Sequence, residues 1–293
     1  MNHKLAKSLL LGLLTIFFFS CSKESSDSDE PMLYIKLVVD SNQARLGNTG
    51  FPATVPSGHA AQSPRFNKIS AHYLELAPNA LTALGTGAIL YHAPETNQGG
   101  ATAIDFSRSK VVSPGEQFLA IPLKDVPAGS YTWVRLSLSY QNYEVDYYLN
   151  SIGTVGTVAS FVGYNQYISS YPVNTLSDTV NSNKPQGYWA FETIGALARG
   201  QSPAGATTVV NPIFATSPIP QGSCVVTGSF SSPLVITAEE RADITLTMSL
   251  STNHSFEWID ANANGKWDLT TSPASVEQVV DMGLRGLIPT YGR

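Results

Sequence analysis

The chain has 293 residues, 17 Lys and Arg against 22 Asp and Glu, and a formal charge of −5. An acidic surface of this kind excludes nucleic acid as the partner. Charged residues make up only 13% of the chain beside 23 Gly and 18 Pro, which favours many short strands joined by turns over helices.

Residues 1–20 carry Lys4 and Lys7, then an apolar run over 9–19, then Ser20 before Cys21. This is the order of a secretory signal. The run is shorter than the ~20 apolar residues that cross a bilayer as a helix. Phe18-Phe19-Ser20-Cys21 resembles the lipobox of bacterial lipoproteins, although that pattern prefers Leu at the first position and a small residue at the second. The resemblance implies cleavage before Cys21, acylation of its thiol and anchorage by lipid. Loss of the two signal lysines takes the charge to −7.

Residues 22–31 are polar and acidic, with nothing to bury, and are expected to form a disordered tether. The Lys23-Glu24 start resembles the export signal that places Bacteroidota lipoproteins on the outer face of the outer membrane, with a plain solvated linker as the alternative. With Cys21 acylated, Cys224 has no disulfide partner. Its Val225-Val226 context suggests a buried structural thiol rather than a nucleophile, since no His or Lys stands nearby in sequence to lower its pKa.

From residue 32 onward the pattern predicts strands. Residues 33–39 open the series, followed by a Pro/Gly/Ser-rich stretch over 48–64 and strands at 69–76, 88–92, 102–106 and 118–123. Asp125-Val126-Pro127-Ala128-Gly129 is a turn with Pro to fix φ and Gly to permit positive φ. Residues 131–140 alternate most clearly, with Tyr131, Trp133 and Arg135 on one face and Thr132, Val134, Leu136 and Leu138 on the other. Residues 243–250 repeat that alternation, and 225–230 with 234–237 read as their hairpin partner. The segment at about 150–222 is rich in small polar residues yet punctuated by aromatics, which argues against disorder.

The expected architecture is therefore all-β. It is an antiparallel β-sandwich, Ig-like or prealbumin-like, over residues 32–293, with 150–222 as a long ordered insertion or else a second domain.

The most specific motif is Asp260-Ala261-Asn262-Ala263-Asn264-Gly265-Lys266-Trp267-Asp268. It resembles the DxNxNGxxD calcium loops of extracellular proteins. Asp260, Asn262, Asn264, the Lys266 carbonyl and Asp268 would offer oxygens to a structural Ca2+, and Gly265 would allow the sharp turn. Position twelve is Thr271 rather than Glu, so Glu257, Glu277 or Asp281 would complete the shell. The alternative is a plain hairpin turned by Asn264-Gly265 between 256–259 and 266–269.

Tyr140, Tyr143, Tyr164 and Tyr167, with interleaved amides, could form a sugar-binding face or pack in the sandwich. His59, His72, His92 and His254 are scattered, with no paired spacing that suggests a catalytic metal. Asp178-Thr179-Val180 resembles the short Bacteroidota O-glycosylation acceptor, with Thr179 as the modified residue.

Taken together, the tether and the stretches 69–95, 129–143, 187–194 and 256–286 resemble a family of Bacteroidota outer-membrane lipoproteins with an all-β region. The resemblance implies location and fold and carries no catalytic residues. The leading function is a non-catalytic module binding a glycan or another envelope component. The alternatives are an accessory lipoprotein with a protein partner and a hydrolase whose site assembles only in the fold.

Overall fold

The computed structural model describes residues 30–46, 52–202, 224–269 and 277–293. The signal, the lipidated Cys21 and nearly all of the tether lie outside the described residues. In chain order the strands are β1 (Met32–Asp40), β2 (His59–Gln62), β3 (Arg65–Ala77), β4 (Ala88–His92), β5 (Glu95–Thr96), β6 (Ala103–Asp105), β7 (Val111–Val112) and β8 (Gln117–Pro122). They continue with β9 (Gly129–Leu149), β10 (Ile152–Phe161), β11 (Asn165–Pro172), β12 (Ser177–Pro185), β13 (Tyr188–Thr193) and β14 (Ala196–Gln201). The last are β15 (Cys224–Ile236), β16 (Ile244–Ser251), β17 (Phe256–Ile259), β18 (Val279–Asp281) and β19 (Arg285–Gly292). Two short 3-10 turns interrupt them and no α-helix occurs among the described residues, so the fold is all-β.

The strands form four sheets, ordered β19-β16-β1-β8, β14-β13-β10-β9-β3-β4 with β15 and β7 attached, β12-β11-β6-β5, and β18-β17-β2. Period-two alternation explains the first. Leu33, Ile35 and Leu37 of β1 point inward and sit opposite Ile244, Leu246 and Met248 of β16. That face shares one core with Val134, Leu136 and Leu138 of β9, Leu74 and Leu76 of β3, and Leu234 and Ile236 of β15. Two sheets thus bury their inner faces against each other, consistent with a sandwich.

The pairing is mixed rather than purely antiparallel. β1 runs parallel to β16, and β11 runs parallel to β6. Residues 225–237 are not the partner of β16. All but Thr237 belong to the single strand β15, which pairs along β9, because β16 is already flanked by β1 and β19. Residues 152–201 extend the framework: β10 pairs along the second half of β9, and β13 and β14 follow it outward. β2 lies within the stretch expected to be a loop and pairs with β17. Cys224 opens β15, and its side chain lies outside the described residues.

Two buried carboxylates tie the 165–201 region together. Asp178 accepts from Arg199 Nε at 2.6 Å and from the Tyr171 and Tyr188 hydroxyls at 3.0 Å each. Glu192 accepts from the backbone of Asn174, Thr175 and Leu176 and from the Thr175 hydroxyl. Burial alone would raise both carboxyl pKa values, but these donors outweigh it and hold both below the ordinary range. A carboxyl with a depressed folded pKa stabilises the fold above its unfolded pKa, near 4, and loses that contribution as pH falls through the folded value. Acid unfolding is therefore expected to begin below about pH 4, with Asp178→Asn costing ~1–3 kcal/mol at pH 7 and flattening the acid limb. Urea unfolding across a pH series checks both. In the sandwich core, Leu136→Ala is expected to cost ~2–5 kcal/mol by the same measurement.

Candidate functional site

Beyond the shared core, β9 continues to Leu149 and turns Tyr143, Val145 and Tyr147 toward Phe256, Trp258 and Trp267. Trp267 is the hub. Its ring lies 4.8 Å from that of Phe256, 5.3 Å from Phe191 and 6.3 Å from Tyr147, in tilted or edge-to-face contacts. Next to this cluster is a cavity of about 370 Å³, walled by Trp189, Phe191, Phe256, Trp267 and Met282, with Gln201, Glu277 and Gln278 among its polar lining groups. Its size and its mix of rings with a few polar groups are those of a small-molecule site.

The segment 260–268 holds Trp267 in place. Asp260 Oδ1 accepts from Asn264 N at 3.1 Å and its Oδ2 from Gly265 N at 2.8 Å. Asn262 Oδ1 accepts from Asn264 N, and Asn264 Oδ1 accepts from Lys266 N. Both asparagine amides donate to Asp268 Oδ2 at 2.8 Å. Ala263 and Gly265 adopt φ of 55° and 71°, the left-handed geometry that lets the chain coil inside these bonds.

Glu277 closes the loop from outside, accepting from Ala261 N at 2.9 Å and Asp268 N at 2.8 Å. Burial pushes the Glu277 carboxyl up and the charges of Asp260 and Asp268 push it the same way, against the pull of its two backbone donors. The two indoles anchor the rest: Trp258 Nε1 donates to Lys266 O, and Trp267 Nε1 donates to Glu277 O, both at 3.1 Å.

The plain hairpin does not form. β17 pairs with β2 and β18, while residues 267–269 run beside Tyr148, whose N–H donates to Trp267 O. Of the three acids named to complete a cation shell, Glu277 joins the loop. Glu257 instead binds Arg45 and His59, and Asp281 accepts from Gly283 N. Thr271 lies outside the described residues.

The four tyrosines do not make a sugar face. Tyr140 and Tyr143 are 3% and 1% exposed, the first packed on Phe106 and Phe161, the second on Phe66 and Phe256. The cause is that β9 is buried on both faces from Val134 to Tyr143, so rings of either parity in that stretch point into a core. Tyr167 is also largely buried, and Tyr164 is half-buried with its hydroxyl on Glu95. Thr179 is exposed on β12, an edge strand, while its neighbour Asp178 is buried.

A second constellation was invisible in the linear spacing. His72, fully buried on β3, places Nε2 3.1 Å from Glu95 Oε1, and His92 Nε2 lies 3.8 Å from the same oxygen. Burial lowers the His72 pKa, and the His72 hydrogen bond lowers that of Glu95. The one sequence sign was that strands 69–76 and 88–92, paired as a hairpin, bring a histidine from each to the same end.

No protein-family model, curated protein or solved structure matches the chain.

If Trp267 is the hub of this wall, Trp267→Ala is expected to destabilise by ~3–5 kcal/mol in urea unfolding. A cost under about 1 kcal/mol would mean that the wall is loosely packed.

Proposed function

We propose that the chain is a lipoprotein anchored through Cys21 in the outer membrane and exposed at the cell surface, where its all-β region binds a glycan without converting it. The observation that carries this reading is the cavity walled by Trp189, Phe191, Phe256 and Trp267. The half-buried Trp189 ring would cover the apolar face of a pyranose, backed by the buried rings of Phe191 and Trp267, while the exposed Gln201 and Gln278 offer donors and acceptors to its hydroxyls. The lipobox resemblance and the acidic residues after Cys21 support the location. Several acyl chains would hold a water-soluble domain far more firmly than a single chain.

The reading includes an Ig-like or prealbumin-like sandwich. Its support is the shared two-sheet core and the Tyr131 hydroxyl, which donates to Pro127 O at 2.6 Å across the turn before β9, as in a tyrosine corner.

It also includes a structural Ca2+ held by Asp260, Asn262, Asn264, the Lys266 carbonyl and Asp268, with Glu277 as a further carboxylate. Loop oxygens and three acids suit a hard cation, and neutralising them would relieve the repulsion that raises the Glu277 pKa. The Lys266 carbonyl keeps one lone pair free of its Trp258 bond. The Kd is expected at ~10⁻⁴–10⁻³ M, the range of extracellular modules.

The test is a glycan array probed with the purified full chain in detergent, with calcium and with chelator. Binding to one glycan class, weakened at least tenfold by Trp189→Ala, supports the reading; a blank array turns attention to a protein partner. Calcium at 100 times Kd is expected to add ~2.7 kcal/mol of stability, seen as a rise in Tm that Asp268→Asn abolishes. Cys21→Ser is expected to move the protein from the membrane to the soluble fraction.

A further inference from the structure

The middle of β3, the end of β4 and the residue before β11 converge on Glu95. Along the β3–β9 ladder the register passes from Ala71 opposite Leu138 to Tyr73 opposite Ser137, which leaves His72 without a partner at a bulge. Bulges of this kind re-aim a side chain. The His72 carbonyl accepts from Ala93 N at 2.7 Å, which fixes the turn between His92, at the end of β4, and Glu95, on β5. Tyr164, just before β11, donates its hydroxyl to Glu95 Oε1 at 2.8 Å. One ligand atom each from His72, His92 and Glu95 lies within 4.8 Å of the others.

We propose that His72, His92 and Glu95 bind a divalent transition-metal cation of the zinc class. Two imidazoles and one carboxylate are the donors such ions prefer, whereas calcium and magnesium take oxygen-rich shells. A tetrahedral ion with ligands at ~2.1 Å needs ligand-to-ligand edges of about 3.4 Å. The edges to Glu95 Oε1 are 3.1 and 3.8 Å, and the two imidazole nitrogens, within 4.8 Å of each other, close to that edge by side-chain rotation.

The approach is one-sided. His72 is fully buried, while the side chains of His92 and Glu95 are 39% and 27% exposed, so the ion enters past His92 and keeps at least one position for water or a small ligand. Three protein ligands with an open position make an exchangeable or reactive centre rather than a closed structural one. Tyr164 holds the Glu95 carboxylate in orientation, as an outer-shell donor does. Nδ1 of His72 has no hydrogen-bond partner among the described residues. The Nε2–H of His72 donates to the Glu95 carboxylate, so metal binding displaces that proton, and the lack of an acceptor at Nδ1 lowers affinity by about 10–100-fold against a fully supported site.

The test is titration of Co2+ and then Zn2+ into the full chain in excess calcium, following the visible bands of bound cobalt and the stoichiometry. The expected result is one Co2+ per chain, displaced by Zn2+. Affinity should fall at least tenfold in both His92→Ala and Glu95→Gln, with melting curves close to the parent. The second variant preserves the Tyr164 hydrogen bond and so separates ligation from packing; if the first does not fold, the second decides. Absence of saturable binding, or a loss of less than tenfold in a folded variant of either kind, overturns the proposal and leaves a hydrogen-bonded His–Glu cluster.

Discussion

A single strand of 21 residues, β9, serves three hydrophobic cores, and the rest of the molecule is arranged around that requirement. Its first half turns Val134, Leu136 and Leu138 into the core between the two large sheets. Farther on, Tyr140 enters a cluster with Phe161 and Tyr171, while Tyr143, Val145 and Tyr147 leave by the opposite face toward Trp267. Side chains alternate with a period of two, so a slip of one residue would exchange these destinations. The register is pinned instead by β3, β10 and β15, all three antiparallel to β9.

That arrangement decides what the cavity wall can be. Phe191 arrives through β13, Val158 through β10, and Phe256 through β17. Trp267 arrives from a segment with no ladder of its own, held by Tyr148, by Glu277 and by the coil of backbone bonds around Asp260. The polar loop and the aromatic wall are therefore one unit: whatever tightens the Asp260–Asp268 coil also fixes the ring at the centre of the packing. Glu277 belongs to both, with its carboxylate on the loop and its carbonyl on the indole.

The alternation of residues 33–39 and 243–250 was legible because one face of each strand is buried far more deeply than the other, and that of 131–140 because apolar residues on one face alternate with Arg135, Ser137 and Ser139 on the other, although both faces are buried from Val134 onward. Residues 88–92 were legible because turn residues bracket them. The second half of β9 was not, although its burial alternates from Tyr143 to Tyr148, since tyrosines fall on both faces and a ring with a polar tip marks neither as the inner one. Tyr140 and Tyr143, which read equally as a sugar-binding face or as packing in the sandwich, are core. The partner of residues 225–237 was beyond reach because pairing between distant strands leaves no local trace. The loop at 260–268 was readable as a motif, whereas the enlistment of Glu277 over Glu257 and Asp281 depends on which strand carries each. His72 and His92 stand twenty residues apart, and although pairing of their two strands brings them near each other, the bulge that aims His72 is a property of the ladder rather than of any short sequence.

β1 stands between β16 and β8 in its sheet, parallel to one and antiparallel to the other, and Pro31 O and Met32 N at its entrance are bonded to Leu123 N and the Asp243 carboxylate. A pull applied to the chain before Pro31, in line with this strand, loads both ladders in shear, so their hydrogen bonds must yield together rather than unzip one at a time. The same placement has a cost in assembly. Because β16 lies some two hundred residues downstream, the sheet cannot close until almost the whole chain is available. A strand that is among the first to emerge is thus among the last to be locked, and once locked it is the part best placed to bear tension.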